Sequence, residues 1–205
     1  MRSALRLSRQ TFAQYALAAV FSSTAITGYC QSKPQGTPEF NANALMLLLA
    51  KHPSGDATFV ETKHLALLAQ PLVSKGTLNY APPDKLAIRT TEPKPEAIVV
   101  DGDWLSRTAD GKTRRIQLSA QPEATGIIEG IRGSLSGNRT ALDQNFELSV
   151  SGSANQWRMG LVPKDSRVRK LITRIAIEGR QNAITRITTE QADGDRSVMD
   201  ITPKP

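Results

Sequence analysis

Residues 76–105 read GTLNYAPPDKLAIRTTEPKPEAIVVDGDWL, and apolar and polar side chains alternate by twos in three consecutive runs. Leu78 and Tyr80, Leu86 and Ile88, and Ile98 and Val100 fall on one side of the alternation; Thr77, Asn79, Lys85 and Arg89 fall on the other. Successive side chains of an extended strand point to opposite faces, so the pattern specifies half-buried antiparallel strands, oily on one face and wet on the other. Prolines and an Asp-Gly pair end each run and turn the chain. A helical period does not fit this spacing. The apolar face needs a cover, and what covers it decides the function.

The theme extends over most of the chain. Strand-like segments occupy 58–68, 73–81, 85–91, 97–100, 104–108 and 113–118, and again 145–151, 156–162, 171–178, 183–190 and 196–201. "VDGD", "ADGK" and "ADGDR" supply turns between them, because glycine accepts the positive φ of a tight hairpin. The acidic pairs Asp101/Asp103 and Asp193/Asp195 belong to these turns and do not extend into a loop of oxygen ligands for calcium. Ten or eleven connected antiparallel strands curl into a barrel or part of one. The expected fold is mainly β (α+β), an incomplete antiparallel barrel covered by helices.

Two segments depart from the period of two. In "TPEFNANALMLLLAKHP", Thr37 can cap a helix, Pro38 and Glu39 suit its first turn, and Pro53 stops it. Every residue from 44 to 50 is apolar, so this helix must be buried on several sides or touch something oily besides its own core. In "QPEATGIIEGIRGSLSGN", Ile127, Ile128, Ile131 and Leu135 share one helical face, and Gly126, Gly130, Gly133 and Gly137 share another. Each glycine weakens a helix by about 1 kcal/mol relative to alanine, while a glycine stripe also permits close packing. A pliable lid and a tightly packed helix both satisfy this pattern.

Length and charge narrow the classes. The 205 residues suit one domain. Residues 1–30 carry Arg2, Arg6 and Arg9, no acidic residue, and an apolar stretch too short and interrupted to span a membrane, which reads as an export signal. Ser23-Thr24-Ala25 and Gly28-Tyr29-Cys30 are alternative cleavage sites. Cleavage before a lipidated Cys30 is the competing outcome, but Tyr29 is bulky where that processing takes a small residue. The domain expected to remain, 31–205, is periplasmic, soluble and monomeric. With a single cysteine in the chain it has no disulfide to lean on. Of the formal charge of +7, three units are the leader's arginines, leaving +4. The remaining basic residues are scattered, apart from Arg167, Arg169 and Lys170, which suit a solvated face, an acidic partner or a membrane surface; a nucleic-acid partner is not expected.

Catalytic patterns are missing. His52 and His64 lie in different elements, and no nucleophile–histidine–acid set, metal-ligand spacing or phosphate loop occurs. Glu61, Asp84 and Glu129 offer carboxylates with nothing in the sequence to bring them together. The chain is not expected to be an enzyme or to hold a cofactor or metal.

"GTLNYAPPDKLAIRTTEP" followed by "AIVVDGDWL" resembles the second to fourth strands of the LolA family, periplasmic carriers of outer-membrane lipoproteins. The order of greasy helix, strands, helical interlude, then Trp157 to Pro163 and closing strands is similar from Phe40 to Thr202. A divergent LolA-related branch, associated with exported lipids or aryl-polyene pigments, is the nearer likeness. The resemblance implies acyl chains held between a concave sheet and a helical lid, received from an inner-membrane exporter and passed to an outer-membrane acceptor. Its cavity would be lined by Leu78, Tyr80, Leu86, Ile88, Ile98 and Val100. Its lid would present Phe40, Leu47 and Leu48 from a first helix over 40–51, and Ile127, Ile131 and Leu135 from a second. A static or lipid-anchored envelope protein, acceptor or scaffold, is the alternative. The family latches its lid through an arginine before the proline that follows the second strand; Pro82 stands at that position here and has no donor. Closure is therefore expected to rest on apolar contact alone.

Overall fold

The alternating runs become strands of one sheet. The computed structural model describes residues 40–51 and 54–204. Six consecutive strands, β1 (Gly55–His64), β2 (Leu72–Ala81), β3 (Lys85–Glu92), β4 (Glu96–Asp101), β5 (Trp104–Ala109) and β6 (Lys112–Gln117), form one meander. Five more, β7 (Phe146–Ser153), β8 (Gln156–Pro163), β9 (Ile172–Arg180), β10 (Ala183–Gln191) and β11 (Arg196–Pro203), form another. β1 pairs with β11, so the order is β6-β5-β4-β3-β2-β1-β11-β10-β9-β8-β7, antiparallel throughout and open between β6 and β7. This is an incomplete barrel: the strands curl without closing.

Directly paired residues share a face, so the register aligns rows of side chains across the sheet. One concave row runs Tyr80, Leu86, Val100, Leu105 and Ile116; the next runs Leu78, Ile88, Ile98, Arg107 and Arg114. The other wing contributes Met159, Ile177, Ile187 and Met199 in register. Alternate residues of the same strands, Arg158, Glu178, Arg186 and Asp200, make a row of alternating charge on the convex face.

Four helices cover the concave side. α1 (Ala42–Leu49) is capped by the Asn41 side chain, which accepts from the amide of Ala44 at 3.1 Å. The expected cap at Thr37, with Pro38 and Glu39, and the stop at Pro53 lie outside the described residues, as do the export signal and Cys30. α2 (Pro122–Ser136) follows a single 3-10 turn at Leu118–Ala120, and α3 (Arg139–Asn145) and α4 (Ser166–Arg169) are short. Two cores result. Leu45, Met46 and Leu49 of α1, with Leu142 of α3, bury against Phe146, Trp157, Met159, Leu161 and Ile177. On the other wing Tyr80, Leu86, Val100 and Leu118 bury with Ile128 of α2. Leu135 of α2 packs against both, so that helix ties the wings together.

The expected first strand over 58–68 starts earlier and ends at His64. Residues 65–68 are uniformly apolar rather than alternating, and the amide of Ala66 is taken by the carboxylate of Asp195 at 2.7 Å instead of by a strand. α3 and α4 were not expected. α3 buries only Leu142, and α4 spans four residues, too little for a helical period to register.

Candidate functional site

Between the sheet and the helices lies a cavity of about 700 Å³. Its floor has two halves. Leu78, Tyr80, Leu86 and Ile88 come from β2 and β3; Ile184, Ile187, Met199 and Ile201 come from β10 and β11. Leu49 of α1 and Ile131 and Leu135 of α2 form the cover. A volume of this size, mostly apolar with a few polar groups at its margin, suits a small hydrophobic ligand. Each 100 Å² of apolar surface a ligand buries there is worth about 2.5 kcal/mol.

Four of the polar residues of the lining, Asp56, Glu61, Asn79 and Ser197, are partnered along β1. Glu61 accepts from the hydroxyl of Ser197 at 2.5 Å and from that of Ser74 at 3.3 Å, and Lys63 lies 3.3 Å away. Five residues earlier, the Asn79 amide donates to Asp56 at 2.6 Å. An odd spacing on a strand puts the two pairs on opposite faces, so Glu61 stands at the concave floor while Asp56 and Asn79 pair on the wet side of the same strands.

The cover is fastened by a residue the sequence reading passed over. Arg132 of α2, only 9% exposed, donates through Nη2 to the carbonyls of Asp84 at 2.5 Å and Gly102 at 2.7 Å, while Nη1 meets Glu129 at 3.2 Å. Asp84 belongs to the β2–β3 turn, two residues past Pro82, and Gly102 to the β4–β5 turn. Closure therefore does not rest on apolar contact alone. A guanidinium on the helix grips the sheet's turns, and a charged donor forms hydrogen bonds worth about 1.5–3 kcal/mol. The Tyr80 hydroxyl and Arg132 Nε are buried without a hydrogen-bond partner. Burial raises the pKa of Tyr80, against the lowering influence of Arg132, so the phenol stays protonated.

The β4–β5 turn that receives Arg132 also positions the approach to α2. The Asp103 carboxylate accepts from the amide and hydroxyl of Ser119 at 2.8 and 2.7 Å and from Gln117 Nε2 at 2.8 Å. These donors, the Ser119 hydroxyl foremost, lower its pKa. The Thr125 hydroxyl donates to the Leu118 carbonyl, closing the step from turn to helix.

The glycine stripe is a packing surface. A Cβ on Gly130 would lie 2.7 Å from Phe146 Cζ, and one on Gly133 would lie 2.9 Å from Leu142 Cδ2. Gly137 ends α2 at φ +65°, and a Cβ there would meet the Met46 carbonyl at 2.3 Å. Only glycine allows this helix to sit so near its neighbours.

Of the residues expected to line the cavity, Leu78, Tyr80, Leu86 and Ile88 border it, and Val100 is buried in the adjoining core. Ile98 pairs with Ile88 on the same face but lies outside the lining. Its row turns polar immediately, at Arg107, which binds Glu96 through two hydrogen bonds of 2.7 and 3.0 Å. That pairing holds the Glu96 carboxyl below its usual pKa. Of the expected cover, Ile131 and Leu135 border the cavity, while Phe40, Leu48 and Ile127 pack against the first core. Leu47 is 70% exposed and turned to the surface: with Leu45, Met46 and Leu49 facing inward, its direction on α1 points away. His64 ends β1 exposed, and His52 lies outside the described residues. Asp84 and Glu129 meet at Arg132, the first through its backbone, while Glu61 borders the cavity. Leu49, Ile187, Met199 and Ile201 were missed as lining. Arg132 did leave a signal: it stands four residues after Ile128 and three before Leu135, on the buried stripe.

A depression of about 740 Å³ on the convex face is lined by Arg158, Glu178, Arg186 and Asp200 among others. Four of its charges pair, Arg186 with Asp200 at 2.6 Å and Arg158 with Glu178 at 3.6 Å, and it offers no comparable apolar surface. The concave cavity is the candidate site.

The family described as outer membrane lipoprotein carrier protein LolA-like matches residues 36–200. No curated protein matches the chain in sequence. Among solved structures, a LolA superfamily protein from Nitrosomonas europaea is similar at 15% identity, covering 80% of this chain and 92% of its own, with a TM-score of 0.45. LprF from Mycobacterium bovis is similar at 10% identity over 78% of this chain and 91% of its own, with a TM-score of 0.37. The lipoprotein LppX from Mycobacterium tuberculosis is similar at 8% identity over 78% and 93%, with a TM-score of 0.38. With all three scores below 0.5, the family match carries the assignment.

Proposed function

Since the chain belongs to the family of LolA-like outer membrane lipoprotein carrier proteins, we propose that it carries a lipid, or the acyl chains of a lipoprotein, through the cell envelope. The carrying observation is the cavity of about 700 Å³ lined by apolar residues of both wings and both long helices. Cargo enters between sheet and cover, is held by apolar burial without covalent chemistry, and leaves when α2 lifts from the turns. The exported chain works in the periplasm as a monomer, receiving cargo from an inner-membrane exporter and delivering it towards the outer membrane. An aryl-polyene-type lipid fits the same cavity chemistry as an acyl chain.

A second reading draws support from the tight seat of α2. With its glycines packed on Phe146 and Leu142 and its arginine fastened, the cover could stay shut, and the protein would act as a fixed envelope scaffold or acceptor.

Uptake of an environment-sensitive fluorescent fatty acid separates the two. The unchanged chain should bind the probe. Ile88→Glu and Met199→Glu should each lose binding, since a carboxylate on the cavity floor is left without water or partner. Thr58→Glu, exposed on the strand between them, should bind as before. Failure of the unchanged chain to take up the probe supports the fixed scaffold, and equal binding by Ile88→Glu rejects this floor as the site.

A further inference from the structure

The loop joining β1 to β2 has no place in the account so far, yet it and the first two residues of β2 expose four large apolar side chains. Leu67 is 98% exposed, Leu68 47%, Leu72 51% and Val73 48%. Soluble surfaces carry scattered apolar residues, but a cluster of four within seven positions marks a contact with something apolar. The loop is held out rather than folded back. The Leu68 amide donates to the Leu65 carbonyl at 2.9 Å, and the Ala66 amide donates to Asp195 in the β10–β11 turn at 2.7 Å. That same turn is hydrogen-bonded on its other side to the segment after α4, Ala192 to the Leu171 carbonyl at 3.1 Å, and Leu171 is itself 49% exposed. The loop, the β10–β11 turn and the segment after α4 are thus linked by hydrogen bonds, each end of the link carrying exposed leucine.

The surroundings of the loop tip are basic. Of the cations between 164 and 174, Lys164 is turned to the Asp143 carbonyl, Arg167 to Asp165 and Arg174 to Gly160, while Arg169 and Lys170 adjoin Leu171. Arg169 and Lys170 are exposed immediately before Leu171. In the β10–β11 turn the acids are engaged with backbone amides, Asp195 with Ala66 and Asp193 with Asp195. Exposed leucines with Arg169 and Lys170 in the adjoining segment match the two layers of a bilayer surface, acyl chains below and anionic headgroups above. A protein partner that covered the leucines would need acidic residues placed around them; an anionic lipid surface supplies both at once.

We propose that the β1–β2 loop docks this protein on anionic membrane surfaces, Leu67 and Leu68 entering the acyl boundary and Arg169 and Lys170 meeting lipid phosphates. The proposal rests on the exposed tip and not on the carrier reading, which the fatty-acid probe tests separately.

The test is co-sedimentation of the full chain with vesicles of phosphatidylcholine alone and of phosphatidylcholine with phosphatidylglycerol. Binding should favour the anionic vesicles and weaken with added salt. Leu67→Asp with Leu68→Asp should lower partitioning roughly tenfold or more while fatty-acid uptake is unchanged. Arg169→Gln with Lys170→Gln should lower anionic-vesicle binding roughly fivefold per charge and leave binding to neutral vesicles as it was. To read the loop independently of residues 1–39, a dye is attached at Leu67→Cys in a Cys30→Ser background; it should shift to the blue on anionic vesicles, whereas a dye at Thr58→Cys should not. Unchanged partitioning of the leucine double variant, or an unshifted dye at position 67, overturns the proposal. So does a concentration-dependent dimer, seen without vesicles and lost in the leucine variant, which would assign the tip to a second copy of this chain.

Discussion

Arg132 shows what one side chain settles in this molecule. Its guanidinium reaches two carbonyls in two different turns through Nη2 and Glu129 through Nη1, a planar spread of donors that the compact ammonium of a lysine does not reproduce. Replacing it by methionine keeps the apolar stem and removes the donors, leaving the Asp84 and Gly102 carbonyls and the Glu129 carboxylate to find water. Arg132→Met should lower stability by about 2–3 kcal/mol, read as a fall in the urea midpoint. Hydrogen exchange along 122–136 should accelerate more than in β8–β10, and the fatty-acid probe should dissociate faster. Arg132→Lys should recover part of the loss. Equal acceleration across the whole sheet would mean that Arg132 supports the fold generally and does not fasten the helix.

At the scale of elements, α2 combines two demands that a helix usually separates. It must be stiff enough to hold Arg132 and thin enough on its opposite side to lie against α3 and β7. Glycine supplies the thinness at a loss of helix propensity. Gly130→Ala would improve the isolated helix yet place a methyl 2.7 Å from the buried ring of Phe146. Overpacking should prevail, and thermal or urea denaturation should show a loss of about 1–3 kcal/mol. A gain in stability would mean that Phe146 moves aside freely. The legibility of the sequence divides along the same line. Strands β2 to β5 were readable because one face is wet, so Leu78, Leu86 and Ile88 alternate with Asn79, Lys85 and Arg89. α1 and α2 were readable from their apolar runs and periods. The partners across space were not: which turns Arg132 would reach, and that Ile187 and Met199 would line one cavity with Leu78, depend on the curl of the sheet rather than on local pattern. The glycine stripe fitted both a loose and a tight helix, because the same atom count serves both until a neighbour is placed beside it. Leu47 was misread for a related reason, since in an all-apolar stretch nothing marks the outward residue.

The whole molecule is an open sheet, and an open sheet has two edges. At one of them β6 reads KTRRIQ, exposed along its length, with Arg115 stacked over Trp104 at 4.1 Å. Cations on an edge strand oppose pairing with another chain. Lys112→Thr with Arg114→Thr should leave the fold intact and produce concentration-dependent association in light scattering; a variant that stays monomeric would show that twist alone protects this edge. In the middle of the sheet lies the reverse situation. β1 pairs with β11 along eight positions, from Ala57 with Pro203 to His64 with Arg196. Every other strand pairs with a neighbour in sequence, so each meander can form as the chain appears, but this seam waits for its second half. Viewed as a timetable, β1 is made early and has one side vacant until residue 196 follows. As an exported chain emerges from its channel, that interval is the 132 residues that separate His64 from Arg196. During it the vacant side of β1 is an unpaired edge, open to whatever strand arrives first. The sheet is therefore finished from the centre, last.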